Sequence, residues 1–250
     1  MSAARHAFED LHAGLRKQGP GSDRSTGRAL ALLPDLPRHP EILDLGAGPG
    51  RHSLALARLT GGRVTAVDVN AGFLEALRTR AASEGLGDRI RTLTASMDEL
   101  ELAEGSFDLL WSEGAAYQIG FDRALALWRP WLRSGGGLAL TELAWLAEDR
   151  PAAAQRLWER AYPAMRSREA NHAAIAAAGF ELAGDFALPE SDWWEGYYEE
   201  LEPRIAPLRA RFAGSPEALA ILDLAAEEID VFRRSAAAYG YVFHVATRGA

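Results

Sequence analysis

Residues 41–50 read Glu-Ile-Leu-Asp-Leu-Gly-Ala-Gly-Pro-Gly, and this stretch decides the fold of the 250-residue chain. The apolar run at 42–45 is typical of a strand that is covered on both faces, and three glycines then interrupt it. Residues 51–59 place apolar side chains at helical spacing, so the pattern predicts a strand, a glycine loop and a helix. The free amides of such a helix and the missing Cβ atoms of the glycines let a ligand approach the backbone closely.

Two acidic residues lie near the ends of predicted strands. Asp44 is close to the end of the first strand, and Asp68 lies at the carboxyl end of a β-branched run over residues 63–69. A carboxylate at the tip of the second strand can accept hydrogen bonds from both hydroxyls of a ribose. The sequence therefore predicts a nucleoside derivative as ligand. The alternative is that Asp68 caps a helix that begins at Asn70.

The composition sets limits on the function. The chain is 48% hydrophobic, carries a net charge of −8 and contains no cysteine, so it can bury a full core but has no thiol for a disulfide, a nucleophile or a metal site. No apolar run approaches the length that spans a membrane, and the first residues lack the apolar core of a signal peptide. We expect a cytoplasmic protein that binds neither membrane nor nucleic acid.

Strands and helices alternate through most of the remaining chain, which is typical of a doubly wound sheet. The predicted fold class is therefore α/β, with a seven-stranded, mostly parallel sheet. The predicted strands are residues 42–45, 63–69, 89–94, 107–111, 137–143, 180–188 and 239–247. A helix is predicted over residues 121–132, between the fourth and fifth of these strands.

Two segments lie outside this alternation. Residues 1–40 are predicted to form a helical lid with a shaped turn at 18–22, although a flap that only covers a sheet edge is the alternative. Residues 189–238 are predicted to form a helical cap inserted before the last strand, over the edge where open α/β sheets bind ligands. Residues 41–188 and 239–250 form the predicted core, and residues 1–250 a single domain.

The predicted cap opens with an aromatic stretch, Pro-Glu-Ser-Asp-Trp-Trp-Glu-Gly-Tyr-Tyr, over residues 189–198. Its rings could line a substrate pocket or bind a cation, with Glu190, Asp192 or Glu195 adding charge. They could equally pack onto the sheet, and Trp145 is open to the same two interpretations. The candidate substrate residues in these segments are Trp145, Trp193, Trp194 and Tyr198.

Several of these motifs together resemble class I S-adenosylmethionine-dependent methyltransferases. The resemblance rests on the glycine loop at 46–50, on Asp68, on Ser-Met-Asp at 96–98 and on Trp-Ser-Glu-Gly at 111–114, and it extends from about residue 41 to residue 143. The turn at 18–22, the segment at 113–117 and the last strand at 239–243 resemble a bacterial subgroup of small, largely uncharacterised methyltransferases.

The resemblance implies S-adenosylmethionine as cofactor, a Rossmann-like methyltransferase fold and in-line methyl transfer to a small molecule. It implies that Asp44 and the glycines border the methionine portion and the ribose, that Asp68 holds the ribose hydroxyls, and that Met97 and Asp98 contact the adenine. The cofactor residues that it implies are Gln18, Gly19, Asp44, Gly46, Gly48, Gly50, Asp68, Val69, Ser96, Met97, Asp98 and Glu113.

Two side chains are candidates for the chemistry at the acceptor. The resemblance places Glu113 beside the methyl donor, where it could orient or deprotonate the acceptor. Tyr117 is the second candidate, and it is also a candidate substrate residue. Residues 111–114 lack the Asn/Asp-Pro-Pro-aromatic pattern that is frequent in methyltransferases acting on nucleic acids or amides. The six histidines show no metal-binding spacing, so the prediction includes no metal.

Two other classes of function stay open. One is an NAD(P)-dependent oxidoreductase on a similar sheet, although Gly50 follows Gly48 by two positions and a pyrophosphate loop requires three. S-adenosylmethionine has no pyrophosphate, so the shorter loop suits it better. The other class is a non-catalytic module that binds S-adenosylmethionine. The sequence does not identify the acceptor, the methylated atom or the oligomeric state.

Overall fold

A computed structural model describes residues 2–34 and 36–249. Over these residues the chain forms ten α-helices and eight β-strands. In chain order they are α1 (Ala3–Leu11), α2 (Asp23–Leu30), β1 (Glu41–Leu45), α3 (Arg51–Thr60), β2 (Arg63–Asp68), α4 (Ala71–Ser83), β3 (Ile90–Thr94), β4 (Phe107–Glu113), α5 (Phe121–Trp128), β5 (Leu132–Trp145), α6 (Ala152–Ala161), β6 (Arg166–Ser167), α7 (Arg168–Ala177), β7 (Phe180–Ala187), α8 (Glu190–Trp193), α9 (Glu199–Arg211), α10 (Pro216–Ser235) and β8 (Tyr239–Arg248).

Seven of the strands form the main path of the sheet, in the order β3-β2-β1-β4-β5-β8-β7. The first five in this order run parallel, whereas β8 is antiparallel to both β5 and β7. The predicted seven-stranded, mostly parallel sheet is confirmed, and β6 is an additional two-residue strand beside β5. The helix predicted over residues 121–132 is shorter than expected, because α5 ends at Trp128 and Leu132 already begins β5.

Helices cover both faces of the sheet, as the apolar run of β1 predicts. Successive side chains of a strand point to opposite faces, so Ile42 packs in one cluster with Leu56 of α3, whereas Leu43 packs in another with Trp128 of α5. Both faces of β1 are therefore dry. The carboxyl ends of β1, β2 and β4 lie at one edge, since these strands are parallel neighbours.

The N-terminal segment and the segment before β8 pack against each other. Leu11 of α1, Trp193 of α8 and Phe232 of α10 belong to one buried cluster, which also includes Tyr239 at the start of β8. The ring of Trp193 stacks on Phe232 with a centroid distance of 4.3 Å. These two segments thus form a second apolar layer beside the sheet. No helix among residues 2–34 and 36–249 has the length and apolar composition needed to cross a bilayer.

Candidate active site

A cavity of about 870 Å³ opens at the carboxyl edge of the sheet. Its wall combines the loop after β1, the ends of β2, β3 and β4, the N-terminal segment and one face of α10. Ligands of open α/β sheets bind at this edge. The predicted site residues that line the cavity are Gln18, Gly19, Gly46, Gly48, Asp68, Val69, Ser96, Met97, Asp98, Glu113, Tyr117, Trp193 and Tyr198.

The glycine loop exposes its backbone to this cavity. Gly46 and Gly48 have φ angles of +77° and +54°, which side chains rarely allow. A Cβ atom on Gly46 would lie 2.3 Å from the Cβ atom of Ala115, whereas a Cβ atom on Gly48 would meet only Cγ of Gln18 at 3.7 Å. Close packing therefore requires the first glycine. The second keeps open a cradle that a methyl group would fill.

Asp68 holds the loop against the end of β2. One carboxylate oxygen accepts a hydrogen bond of 2.8 Å from the amide of Gly48, and the other accepts one of 2.8 Å from the amide of Asn70. The residue that caps α4 is Asn70, whose side chain accepts hydrogen bonds from the amides of Gly72 and Phe73. The alternative that Asp68 is the helix cap is therefore wrong.

Met97 forms the wall opposite the glycine loop. Its Cε atom lies 3.6 Å from the position that a Cβ atom on Gly46 would take, and the indole of Trp128 donates a hydrogen bond to its carbonyl. Asp98 beside it accepts a hydrogen bond from Ser96 and lies 3.0 Å from the Arg123 guanidinium. The hydrogen bond from Ser96 is the main cause that lowers the pKa of Asp98. An apolar surface and an ionised carboxylate thus adjoin each other.

Glu113 is fully engaged by protein groups. One of its oxygens accepts hydrogen bonds from the Thr26 hydroxyl at 2.9 Å and the Trp111 indole at 3.0 Å, and the other pairs with Arg51. Burial opposes ionisation of Glu113, but the positive charge of Arg51 outweighs it and lowers the pKa of this carboxyl. A carboxylate with a lowered pKa and no free oxygen is a poor base.

Two predicted cofactor residues do not line the cavity. Gly50 packs against α4, since a Cβ atom there would lie 2.3 Å from Leu77. Asp44 is completely buried, accepts a hydrogen bond from Ser53 and lies 3.0 Å from Nε2 of His52. Burial disfavours a charged imidazole, yet the nearby carboxylates of Asp44 and Glu113 raise the pKa of His52. Because His52 does line the cavity, Asp44 acts on it only indirectly.

Two predicted substrate residues also lie outside the cavity wall. Trp145 packs edge-on against Tyr239, with the Arg150 guanidinium 4.8 Å from its ring centroid. Trp194 packs against Tyr198 and Arg233 in the same way. For these two tryptophans the packing interpretation applies, because they point away from the opening that Trp193 and Tyr198 reach.

The acidic residues of the aromatic stretch do not join its rings in the cavity. Glu190 and Glu195 are exposed. Asp192 is 4% exposed, accepts a hydrogen bond from the Ser25 hydroxyl, and accepts others through its carbonyl from Lys17 and from the amide of Gly21. This residue therefore links the N-terminal turn to α8.

Sequence reasoning missed the residues on the far wall of the cavity. The hydroxyl of Tyr241 lies 3.6 Å from the position of a Cβ atom on Gly114, so Tyr241 connects this wall to the end of β4. A usable signal was the spacing of lining residues along α10, which repeats every three or four positions. The lining residues that the prediction omitted on this wall are Leu143, Trp158, Tyr162, Tyr197, Ile221, Leu224, Ala225, Glu228 and Tyr241.

A second polar cluster lies outside the cavity, between α7 and the edge strands. Nitrogen atoms of His172 and His244 and a carboxylate oxygen of Asp185 all lie within 4.8 Å of one another. The pairing of Asp185 with His244 across β7 and β8 brings them together, which histidine spacing cannot reveal. Arg168 pairs with both oxygens of Asp185, and its positive charge opposes a cation there. The arrangement is that of an ion-pair network.

The fold and the loop geometry agree with what comparison with known proteins finds. Residues 42–136 match the family described as a methyltransferase domain. This chain contains a class I S-adenosylmethionine-dependent methyltransferase domain. The methyltransferase domain holds the glycine loop, Asp68, Met97 and Glu113, whereas the far wall of the cavity is supplied mainly by segments that follow the domain.

The relatives cover the methyltransferase domain and part of its surroundings. A dimethylglycine N-methyltransferase of Parasynechococcus marenigrum (strain WH8102) is 34% identical over 141 residues, which are 54% of this chain and 50% of that protein. A methyltransferase named GfsG, of Streptomyces halstedii, is 36% identical over 41% of this chain and 37% of its own length. The chain thus spans about half the length, or less, of these curated relatives.

Solved structures match nearly the whole chain in fold. An S-adenosylmethionine-dependent methyltransferase of Geobacter sulfurreducens, solved with S-adenosylhomocysteine, matches with a TM-score of 0.78 at 18% identity, covering 96% of this chain and 97% of that one. The match therefore includes the N-terminal segment and the segment before β8, outside the methyltransferase domain.

Proposed function

We propose that this chain transfers a methyl group from S-adenosylmethionine to a small-molecule acceptor. One observation carries the proposal. A single cavity joins the glycine loop and Asp68 at one end to a wall of aromatic side chains at the other. Its volume of about 870 Å³ is near the upper end of the usual range for ligand sites, which leaves space for an acceptor beside the cofactor.

The cofactor end of the cavity suits an adenosyl ligand. The open cradle at Gly48 allows a ligand to contact the backbone, and the two oxygens of Asp68 keep lone pairs for ribose hydroxyls after accepting the amides of Gly48 and Asn70. Met97 offers an apolar surface for the adenine, and Asp98 offers an acceptor for its amino group. None of these residues forms the longer loop that a pyrophosphate requires.

The chemistry asks little of the protein beyond placement. S-adenosylmethionine supplies an electrophilic methyl group on a sulfonium, so the chain has to orient the acceptor and exclude water. Leu11 of α1 and Ile221 of α10 line the cavity and supply apolar cover. Tyr117 and Tyr241 lie next to the end of β4, where they orient the acceptor.

We assign Glu113 to positioning instead of proton transfer. Its contacts with Thr26, Trp111 and Arg51 tie α2, β4 and α3 together around the cavity. Tyr117 stays a candidate for contact with the acceptor. The dimethylglycine in the name of one relative is a small amine, which supports an acceptor that fits within this cavity.

A second role deserves a separate test because the fold alone does not fix the reaction. A structure titled as the [4+2]-cyclase SpnF matches with a TM-score of 0.76 at 20% identity, covering 99% of this chain and 93% of that one. A chain of this fold can therefore bind the cofactor without transferring its methyl group.

Titration calorimetry and a turnover assay separate these possibilities. We expect S-adenosylhomocysteine to bind and NAD not to bind. We also expect a panel of small acceptors incubated with S-adenosylmethionine to yield a methylated product by mass spectrometry. Binding of NAD in place of S-adenosylhomocysteine would favour the oxidoreductase. Cofactor binding without product from the panel would favour the non-catalytic module.

A further inference from the structure

One face of α10 forms part of the cavity wall. Ile221, Leu224, Ala225 and Glu228 all line the cavity, and their spacing of three and four residues places them on the same side of the helix. Glu228 is the charged member of an otherwise apolar stripe. A carboxylate inside a protein costs free energy unless it is paired, so its partner matters.

The partner of Glu228 inside the protein is a phenol. The hydroxyl of Tyr198 donates a hydrogen bond of 2.7 Å to Oε1 of Glu228. The ion pairs that α10 forms within the described ranges use exposed side chains and leave Glu228 without a cation. Burial raises the pKa of Glu228, and the hydrogen bond from Tyr198 opposes that rise only in part.

The cationic side chains elsewhere in the cavity wall are committed to other partners. Lys17 donates hydrogen bonds of 2.7 and 2.8 Å to the carbonyls of Gly21 and Asp192. Arg51 pairs with Glu113. Both cations lie at the cofactor end. Neither neutralises the carboxylate on α10.

Aromatic rings surround this carboxylate. Tyr197 and Tyr198 are 9% and 1% exposed, and they stack on each other with a centroid distance of 5.3 Å. Burial and the charge of Glu228 raise the pKa of both phenols, so their rings stay neutral and close to the carboxylate. Trp158 and Tyr241 line the same part of the wall. Neutral aromatic faces attract cations, and the attraction grows when the site excludes water.

We infer that Glu228 and the surrounding tyrosines bind a positively charged amino group of the acceptor. The carboxylate supplies a full negative charge, and the rings supply faces that a primary to quaternary ammonium group can contact. The acceptor is thus an amine or an ammonium compound. This inference rests on the proposed function, because it concerns the acceptor end of the same cavity.

Two probes of equal shape and different charge test the inference. Choline carries a trimethylammonium group, and 3,3-dimethylbutan-1-ol carries an uncharged tert-butyl group in its place. Each is titrated into protein saturated with S-adenosylhomocysteine. We expect choline to bind at least about tenfold more tightly than the alcohol.

The variants locate the charge that causes this preference. Glu228→Gln keeps the size of the side chain, and we expect the ratio of the two affinities to fall below about twofold. Glu227→Gln is the matched control, because its carboxylate lies on the exposed side of α10 and pairs with Arg160. This control is expected to keep the full preference.

Three results would overturn the inference. They are equal affinity for both probes in the wild type, failure of choline to bind protein that does bind S-adenosylhomocysteine, and a choline preference that survives in Glu228→Gln. Binding of S-adenosylhomocysteine is measured first on every variant, and it also reports folding. Its failure in the wild type counts against the proposed function instead.

Discussion

The hydroxyl of Tyr162 donates a hydrogen bond of 2.6 Å to Oε1 of Glu142 and places a phenol between the cavity and that buried carboxylate. Glu142 is 2% exposed, and burial raises its pKa from 4.5 to about 7. The folded protein therefore binds this proton more tightly than the unfolded chain does. The stabilising contribution is complete below pH 4.5 and is lost as the pH rises through about 7.

Glu142→Gln should remove this pH dependence. Urea unfolding between pH 4.5 and 8 should show the wild type losing up to about 3 kcal/mol relative to the variant as the pH rises. Glu104→Gln, at an exposed position, is the control and should follow the wild type. Parallel curves for wild type and Glu142→Gln would contradict the assignment.

Gly48→Ala should block the cofactor without unfolding the protein. Its positive φ costs an alanine about 1 kcal/mol, and Gly105, with a φ of +62° and no atom within 4 Å of a Cβ, should cost the same. We expect equal losses of stability for Gly48→Ala and Gly105→Ala. Only Gly48→Ala should weaken S-adenosylhomocysteine, by at least about tenfold, measured by calorimetry. Undiminished binding by Gly48→Ala would show that the cradle is not used.

Asp68→Asn should lower both stability and cofactor affinity. The carboxylate accepts hydrogen bonds from two backbone amides, and an asparagine would direct its own NH2 group at one of them. We expect a loss of about 1–3 kcal/mol in the free energy of unfolding, and weaker binding of S-adenosylhomocysteine. Asp88→Asn, at an exposed position, serves as control. A variant that binds as well as the wild type would remove Asp68 from the proposed site.

Glu113→Gln should act on structure instead of on proton transfer. Its side chain is 3% exposed, and the substitution leaves the Arg51 charge without its partner, which costs about 3 kcal/mol or more. Adding Arg51→Met should recover part of this loss, because no unpaired charge then remains. The pH profile of turnover at saturating cofactor should match that of the wild type. Normal cofactor affinity with lost turnover would instead support Glu113 as the base that the sequence suggests.

Local pattern was enough to predict the first half of the fold. The strand, loop and helix over residues 41–59 depend on neighbours in sequence, and so does the placement of Asp68 at the end of β2. Parallel strands then bring their ends to one edge, which is why Met97 and Glu113 reach the cavity that Asp68 also lines. Each step follows from strand geometry.

The far wall depends on packing that local pattern does not contain. Trp193 and Trp194 are adjacent and chemically identical, yet one faces the cavity and the other faces Arg233 on the outside. Tyr162 and Glu142 meet only after α6 returns along β5. Glu228 was within reach of sequence reasoning, since an acidic residue in an apolar helical stripe is unusual, but its tyrosine partners come from other segments.

The bonds that join Lys17 and Gly21 to the carbonyl of Asp192 fasten the turn beside the cofactor end to the first helix of the aromatic wall. A displacement of either segment must carry the other with it or break these bonds. Admission of the donor and admission of the acceptor are therefore governed by one concerted movement. The spent donor and the methylated product would leave through that same opening.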